Sequence, residues 1–274
     1  MTDYRIVSLT TDYGTADGFV AACHGVILVT APRARILDIT HQVPPGDIRR
    51  GATVLAQTVG HLPPGVHVAV VDPGVGTTRR PIAVEAGESI LVGPDNGLLI
   101  PAADALGGAR LAMALTNSEL HRHPTSHTFH GRDIFAPVAA ALLTGTTPGE
   151  LGDPVRVTDL VRLPDPLVRN GPDGLHSEVL TVDRFGNLQL AATTDLLTER
   201  GERLWVNEFP AVRADMFAAA GMGELVVLTD SAGHIAVAVN GGSAAEQLRL
   251  AAGDTVTLAD RTEPTDTGRS SGRG

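Results

Sequence analysis

Over the first 160 residues, short runs of β-branched residues alternate with stretches whose apolar positions recur every three or four residues, the pattern of an α/β fold. Ile6-Val7-Ser8-Leu9 reads as the first strand. Residues 17–30 follow as a helix, with Asp17 at its expected N-cap, Val20, Cys23 and Ile27 on one face, and Ala31-Pro32 ending it. Residues 36–39 form a second strand. Asp47 stands where it would cap a helix presenting Ile48, Ala52, Leu55 and Val59. Val66-His67-Val68-Ala69-Val70-Val71 is almost wholly apolar, as expected of a central parallel strand covered on both faces. Residues 131–143 read as a further helix with Phe135, Val138, Ala139 and Leu142 on one side.

The periodicity stops at Leu163-Pro164-Asp165-Pro166 and Asn170-Gly171-Pro172, where proline and glycine are too dense for a helix or an interior strand. This predicts a linker. Beyond it, short strands near residues 177–182, 188–190, 224–228, 234–239 and 255–258, separated by turn residues, predict a small β-barrel. The expected architecture is an α/β amino-terminal domain with a central, mostly parallel sheet over residues 1–165, and a β-barrel domain over residues 173–261. Residues 262–274 lack any large apolar side chain and are expected to form a disordered tail.

Composition then narrows the chemistry. The net charge of −10 opposes nucleic-acid binding, since phosphate contacts dominate that affinity, and suits a cationic small molecule better. No basic segment leads into an apolar run and no stretch has the apolar length of a membrane span, so the expectation is a cytoplasmic protein with neither a nucleic-acid nor a membrane partner. Cys23 is the only cysteine, which excludes an internal disulfide, a cysteine-rich zinc site and a Cys-x-x-Cys redox pair. All 21 basic residues are arginine. Without lysine there is no Gly-x-x-x-x-Gly-Lys phosphate loop, no Schiff base and no lysine general base. Catalysis must rest on Asp, Glu, His, Arg, Ser, Thr or a metal.

Ligands of open α/β sheets bind beyond the carboxyl ends of the strands. Three polar clusters occupy such positions: Thr10-Thr11-Asp12-Tyr13-Gly14 with Asp17, Asp72-Pro73-Gly74-Val75-Gly76-Thr77-Thr78-Arg79-Arg80, and Phe129-His130-Gly131-Arg132-Asp133. Each has an ordinary structural reading as well. Asp12 and Asp17 suit a turn and a helix cap, Asp72 and Arg79 a bracing ion pair, Arg80 a solvated charge, and His130 a helix start. His121, His123 and His127 match no familiar zinc spacing and read as loop residues, so no metal is expected.

Taken together with Asp95-Asn96-Gly97 and Asp183-Arg184-Phe185-Gly186-Asn187, the motifs T-D-Y-G, V-D-P-G-V-G-T-x-R, G-P-D-N-G-L-L, F-H-G-R-D-I-F-A-P and D-R-F-G-N-L resemble the S-adenosyl-L-methionine hydroxide adenosyltransferases, relatives of the fluorinase and chlorinase. The resemblance runs from about Tyr4 to Asp260. It implies hydrolysis of S-adenosyl-L-methionine to adenosine and L-methionine by in-line attack of an activated water on the ribose 5′-carbon, with no cofactor. Asp72, Arg79 and His130 match the family's water-activating set; the sequence does not settle which of them takes the proton, and the assignment is His130 as the base, Asp72 as its orienter or a ribose-side ligand, and Arg79 as the electrostatic stabiliser. Asp12 matches the ribose-binding aspartate, Asp17 falls where the family lines the same pocket, and Asn96, in the G-P-D-N-G-L-L motif, is expected to bind substrate. Asp183 and Asn187 match contacts to the methionine amino group and adenine, Phe217 the ring packed on adenine, and Ser231 and the Val239-Asn240 backbone the remaining carboxylate and base contacts. The resemblance also implies a homotrimer with active sites between subunits.

Two departures bear on affinity: Asp230-Ser231-Ala232-Gly233-His234 stands where the family often has Asn-Ser-Ser-Gly-Tyr, and Ala236 where a glutamate is common. Gly131 and Asp72 stand where the halogenases carry a serine and a tyrosine, which favours water as the nucleophile. A halide-dependent 5′-halo-adenosine synthase and a non-catalytic adenosine-binding or S-adenosylmethionine-binding protein are the alternatives, with a metal-dependent hydrolase using Asp12, Asp17, Asp72 and local histidines a more remote one.

Overall fold

The computed structural model describes residues 4–260 apart from 199; the tail expected at 262–274 lies outside the described residues. Among the described residues, two compact units divide between Pro164 and Asp165. No helix among them is long and apolar enough to cross a membrane.

The first unit is a seven-stranded sheet between two helical layers. Its strands are β1 (Ile6–Thr11), β2 (Arg35–Thr40), β3 (Val66–Val70), β4 (Pro81–Ala86), β5 (Ser89–Pro94), β6 (Ala109–Ala114) and β7 (Pro154–Val155), in the order β2-β1-β3-β5-β4-β6-β7. The β2-β1-β3-β5 half is parallel, and the β5-β4-β6-β7 half is antiparallel. The four main helices are α1 (Phe19–Thr30), α2 (Ile48–Val59), α3 (Ile100–Ala105) and α4 (Ala136–Leu143).

Strand alternation decides which helix covers which face. Val66, Val68 and Val70 pack with Cys23 and Ile27 of α1 and Val138 and Leu142 of α4. Ala69 and Val71 point the other way, toward Ala52, Leu55 and Val59 of α2 and Ala102 and Ala103 of α3. Burial on both faces is why this strand is apolar at all but one position. Its one polar member, His67, is accommodated by two serine hydroxyls: Ser8 Oγ lies 2.8 Å from Nδ1 and Ser89 Oγ 3.2 Å from Nε2. Burial also pushes the Cys23 thiol up to about 12, so this cysteine is a core residue.

Two expected local features differ. Helix α1 starts at Phe19 with Gly18 at its N-cap, so Asp17 does not cap it and lies exposed in the preceding loop. Residues 131–143 are helical in two styles, a π-helical turn at Gly131–Phe135 running into α4.

The second unit is a closed barrel. Its strands are β8 (Val168–Gly171), β9 (Gly174–Val182), β10 (Leu188–Thr193), β11 (Arg203–Val206), β12 (Phe209–Arg213), β13 (Leu225–Thr229), β14 (His234–Val239) and β15 (Thr255–Ala259). The ring runs β10-β14-β13-β12-β11-β15-β9 and closes by pairing β9 with β10. Leu175 and Val179 of β9, Leu190, Val206, Leu225, Val237 and Leu258 fill its interior. Strand β8 occupies part of the expected linker, pairing with the first half of β9 through a hairpin at Pro172-Asp173. Proline is tolerated there because it sits in the turn, where no ladder hydrogen bond is required.

Candidate active site

Strands β1 and β3 are parallel neighbours with Thr11 opposite Val70, so the segments beyond their carboxyl ends emerge side by side. From β1 the chain crosses to β2 on one side, and then returns across the sheet to β3 on the other. That change of direction opens a crevice at the strand ends, the usual place for a ligand in such sheets. Asp12 leaves β1 on one wall, and Asp72 follows β3 on the other.

The loop after Asp72 folds back on itself. Val75 N–H donates to Asp72 O (3.1 Å), and Thr77 N–H (3.1 Å) and Oγ1 (2.6 Å) donate to Gly74 O. Gly76 takes φ +77°, and a Cβ there would lie 2.4 Å from His127 O, so only glycine lets this loop reach the segment that carries His130. The turn returns Arg79 to Asp72. Arg79 Nε donates to Oδ1 (2.9 Å) and Oδ2 (3.0 Å) of Asp72, its Nη2 also pairs with Oδ2, and the same Nη2 lies 2.8 Å from His130 Nδ1. Three residues from two distant loops thereby form one chain of contacts, with Asp72 and Arg79 largely buried.

The contact to His130 fixes a tautomer. A guanidinium only donates, so Nδ1 must accept, and the neutral ring carries its proton on Nε2. Burial and the adjacent Arg79 charge hold His130 below the ordinary imidazole range, against the opposing pull of Asp72.

Asp12, Tyr13, Pro45, Gly46, Val70, Asp72, Pro73, Val75, Thr128, His130 and Gly131 line a cavity of about 330 Å³. This is at the small end of the roughly 300–1,000 Å³ range of ligand pockets. Two wider depressions of about 640 and 580 Å³ lie around Arg5 and Arg33 and around Val26 and His121, and neither contains the strand-end carboxylates. Asp12 Oδ2 accepts from Gly46 N–H (2.9 Å), which ties this carboxylate to the loop before α2.

Tyr13, to which the sequence reading gave no role, forms a wall of the cavity. Its ring meets Phe19 and Phe129 with centroids 6.0 and 5.7 Å away. Burial, then Cys23, Asp12 and Asp72, push its phenol well above the ordinary range, so it remains a hydroxyl. A Cβ on Gly131 would lie 2.1 Å from that hydroxyl oxygen, so glycine is the residue that fits there.

Other expected residues have different tasks. Asn96 Nδ2 donates to Val71 O (2.9 Å) and its Oδ1 accepts from Leu98 N–H (3.2 Å), so its amide braces the backbone next to Asp72. Arg80, expected as a solvated charge, pairs instead with the buried Asp95 carboxylate (Nε to Oδ2, 2.9 Å) and donates to Asp159 O (2.7 Å). Asp133 pairs with Arg132 through two hydrogen bonds of 2.7 and 2.8 Å and accepts from Ser126 N–H (2.9 Å). Burial alone would raise its carboxyl, but these partners hold it below the usual range.

In the barrel unit, Asp183 Oδ1 accepts from the N–H groups of Phe185 (2.8 Å) and Asn187 (2.9 Å), and Asn187 Nδ2 donates to Asp183 Oδ2 (2.8 Å). These residues make one compact loop between β9 and β10. Val239 is buried at the end of β14, and the following Asn240 donates from Nδ2 to Ala220 O (2.7 Å), three residues after the half-exposed Phe217. Ser231 is exposed in the turn before β14, at the far end of that strand from Val239 and Asn240, a separation of roughly 17 Å at ordinary strand rise.

Among the described residues, His121, His123 and His127 do not converge on a common point. The set of histidine and carboxylate atoms that does is His24, Asp38 and His41, whose ligating atoms all lie within 4.8 Å of one another.

Comparison with known proteins adds to this geometry. Residues 7–152 match the model of the SAM hydroxide adenosyltransferase N-terminal domain, and residues 177–257 that of the C-terminal domain. The chain is 58% identical over 248 residues to the (R)-S-adenosyl-L-methionine hydrolase of Salinispora tropica, covering 90% of this chain and 95% of that protein. It is 42% identical over 262 residues to the enzyme of the same name from Thermus thermophilus (93% and 99% covered), and 28% identical over 289 residues to a fluorinase from an Actinoplanes species (92% and 97%). Among solved structures, an uncharacterized conserved protein from Thermotoga maritima superposes with a TM-score of 0.83 at 36% identity, covering 93% of this chain and all of that one.

Proposed function

Because the chain belongs to the SAM hydroxide adenosyltransferase family, we propose that it hydrolyses S-adenosyl-L-methionine to adenosine and L-methionine, acting on the (R) sulfonium epimer that its closely similar relatives are named for. The observation that carries this reading is the convergence of Asp72, Arg79 and His130 on the wall of a cavity that also holds Asp12.

The reaction is a displacement. Water oxygen forms a bond to the ribose 5′-carbon, the carbon–sulfur bond breaks with its electron pair going to sulfur, and methionine leaves as a neutral thioether. No acid is needed for that leaving group, and no cofactor enters the scheme. The site has only to hold the water in line, take its proton and stabilise its hydroxide character.

With its Nδ1 engaged by Arg79, neutral His130 is a donor through Nε2. It and Arg79 then hold the developing hydroxide, and Asp72, an acceptor with lone pairs to spare beyond those facing Arg79, takes the proton and passes it to solvent. This moves the base, which the sequence places at His130, to Asp72. Asp12 holds the ribose hydroxyls with the oxygen not given to Gly46, while Asp17 lies outside the cavity lining.

The cavity belongs to the amino-terminal unit and is small for a whole nucleoside with an amino-acid tail. We assign the rest of the recognition to Asp183, Asn187, Phe217 and Asn240 in the barrel of a neighbouring subunit of a homotrimer, with Ser231 as a more remote contact. The single buried cysteine, with no disulfide, suits a reducing cytoplasm.

The test is incubation of the purified protein with each sulfonium epimer, followed by chromatography for adenosine. We expect adenosine from the (R) epimer, and a loss of 10²–10⁴-fold in kcat for Asp72→Asn and His130→Ala, the range for removing an acid–base group or a charge stabiliser. Binding without turnover, or a halogenated nucleoside in the presence of chloride or fluoride, would replace this reading with one of its alternatives.

A further inference from the structure

Behind the loop that carries Asp12, three side chains unused by the proposed reaction meet at one point. His24 comes from the second turn of α1, Asp38 from β2, and His41 from the segment just after β2. His24 Nε2 lies 2.9 Å from Asp38 Oδ1, and His41 Nε2 lies 3.0 Å from the same oxygen. The two rings are tilted 60° to each other, with centroids 6.4 Å apart.

His41 is the informative member. Its side chain is only 5% exposed, and its Nε2 has no hydrogen-bond partner although Asp38 Oδ1 is within ion-pair distance. A buried ring nitrogen without a partner is costly and calls for an explanation. The carboxylate oxygen lies near Nε2 but off the direction in which that nitrogen makes a bond. The ring's other nitrogen is committed, since Nδ1 lies 2.8 Å from Thr11 Oγ1.

We propose that His24, Asp38 and His41 bind a divalent transition-metal ion of the zinc class. Two imidazoles and a carboxylate form a familiar three-ligand set for zinc, with solvent in the fourth position. The exposure fits that arrangement: His41 closes the inner side, while His24 and Asp38, 27% and 42% exposed, leave an outer side open to water. Bond lengths of about 2.0–2.2 Å in a tetrahedron separate neighbouring donor atoms by about 3.4 Å. The donor atoms here are 2.9 and 3.0 Å apart on two edges and no more than 4.8 Å on the third, so small side-chain rotations bring all three into range.

Metal on Nε2 places the ring proton on Nδ1, where it donates to Thr11 Oγ1, the outer partner such a histidine requires. Thr11 Oγ1 also accepts from Tyr13 N–H (3.2 Å), and His41 O accepts from Gly14 N–H (2.7 Å). The ion would thus anchor both sides of the turn that carries Asp12 and Tyr13. Its role is to stiffen that turn, because none of the three ligands lines the cavity.

The experiment is titration of the untagged, chelator-treated full chain with Co²⁺, followed by visible absorption, and with Zn²⁺, followed by thermal unfolding. We expect the d–d absorption of low-coordinate cobalt to saturate at one ion per chain, and saturating zinc to raise the Tm by several degrees through mass action. Both responses should vanish in His24→Ala and in Asp38→Asn, whose partly exposed positions spare the fold, and persist in His130→Ala. Absence of a saturable cobalt spectrum, or a spectrum and Tm shift unchanged by His24→Ala and Asp38→Asn, would overturn the proposal. These readouts do not involve turnover, so they stand or fall apart from the hydrolase reading.

Discussion

Arg79 Nη2 lies 2.8 Å from His130 Nδ1, and this contact makes the imidazole a partner of the guanidinium only while the ring is neutral. Protonation of Nδ1 would set two donors and two positive charges against each other. Burial and Arg79 already hold His130 below 6.5, its ordinary value, so the neutral form persists into mildly acid solution.

The sign of the pH dependence follows. Activity that requires neutral His130 is at full strength above the ordinary imidazole range and falls as pH drops through the lowered value of this residue. The acid limb of kcat/KM should therefore lie below pH 6.5. A limb centred above 6.5 would mean that Arg79 does not touch the ring in solution.

Gly131 and Tyr13 make a steric prediction. The phenol oxygen occupies the space of any side chain at 131, so Gly131→Ala should cost about 1–3 kcal/mol of stability, the usual penalty for overpacking a fixed interior. Tyr13→Phe removes the oxygen and leaves the nearest ring carbon 3.1 Å from the new methyl, so the double variant should recover part of the loss. Denaturant unfolding of the two single variants and the double variant measures this coupling.

His67 makes a prediction about acid stability. Burial lowers it from 6.5 to about 4 while both ring nitrogens face serine hydroxyls. The folded state then binds fewer protons than the unfolded chain, so stability is complete above pH 6.5 and declines as pH falls toward 4. The loss from this residue alone should approach roughly 3 kcal/mol. Urea unfolding at pH 7 and pH 4 should show a smaller difference for His67→Gln than for the parent.

If neighbouring barrels complete the pocket, dilution should reduce specific activity in step with dissociation of the trimer. Sedimentation and assay over the same concentration range test this. Full activity from a sedimenting monomer would reject the shared site.

Much of the amino-terminal unit was legible because its signals are local. The almost wholly apolar run from Val66 marks a strand covered on both faces, and the rule that ligands sit beyond strand ends singles out Asp12, Asp72, Arg79 and His130. The antiparallel half of the sheet was harder to read, because pairing direction depends on hairpins whose periodicity equals that of parallel strands. Strand β8 was concealed by the prolines around it, which forbid interior strands but permit an edge strand and its turn. Asp17 has the residue type and the place of a cap ahead of the Val20, Cys23 and Ile27 repeat, whereas the chain gives that position to Gly18. Asn96 carries the right chemistry for a ligand, yet its amide is spent on Val71 and Leu98. The meeting of His24 with His41 was hidden for a different reason: it depends on how α1 packs beside the end of β2, and residue spacing does not encode that.

The pairing of β9 with β10 that completes the barrel also sets the character of the short loop between them. Both stems of the Asp183–Asn187 loop are rungs of the same seam, with Val182 opposite Leu188. The loop cannot splay, slide or lengthen unless the cylinder is unzipped at that joint. Whatever this loop recognises, it meets as a preformed template, and binding there incurs little ordering entropy.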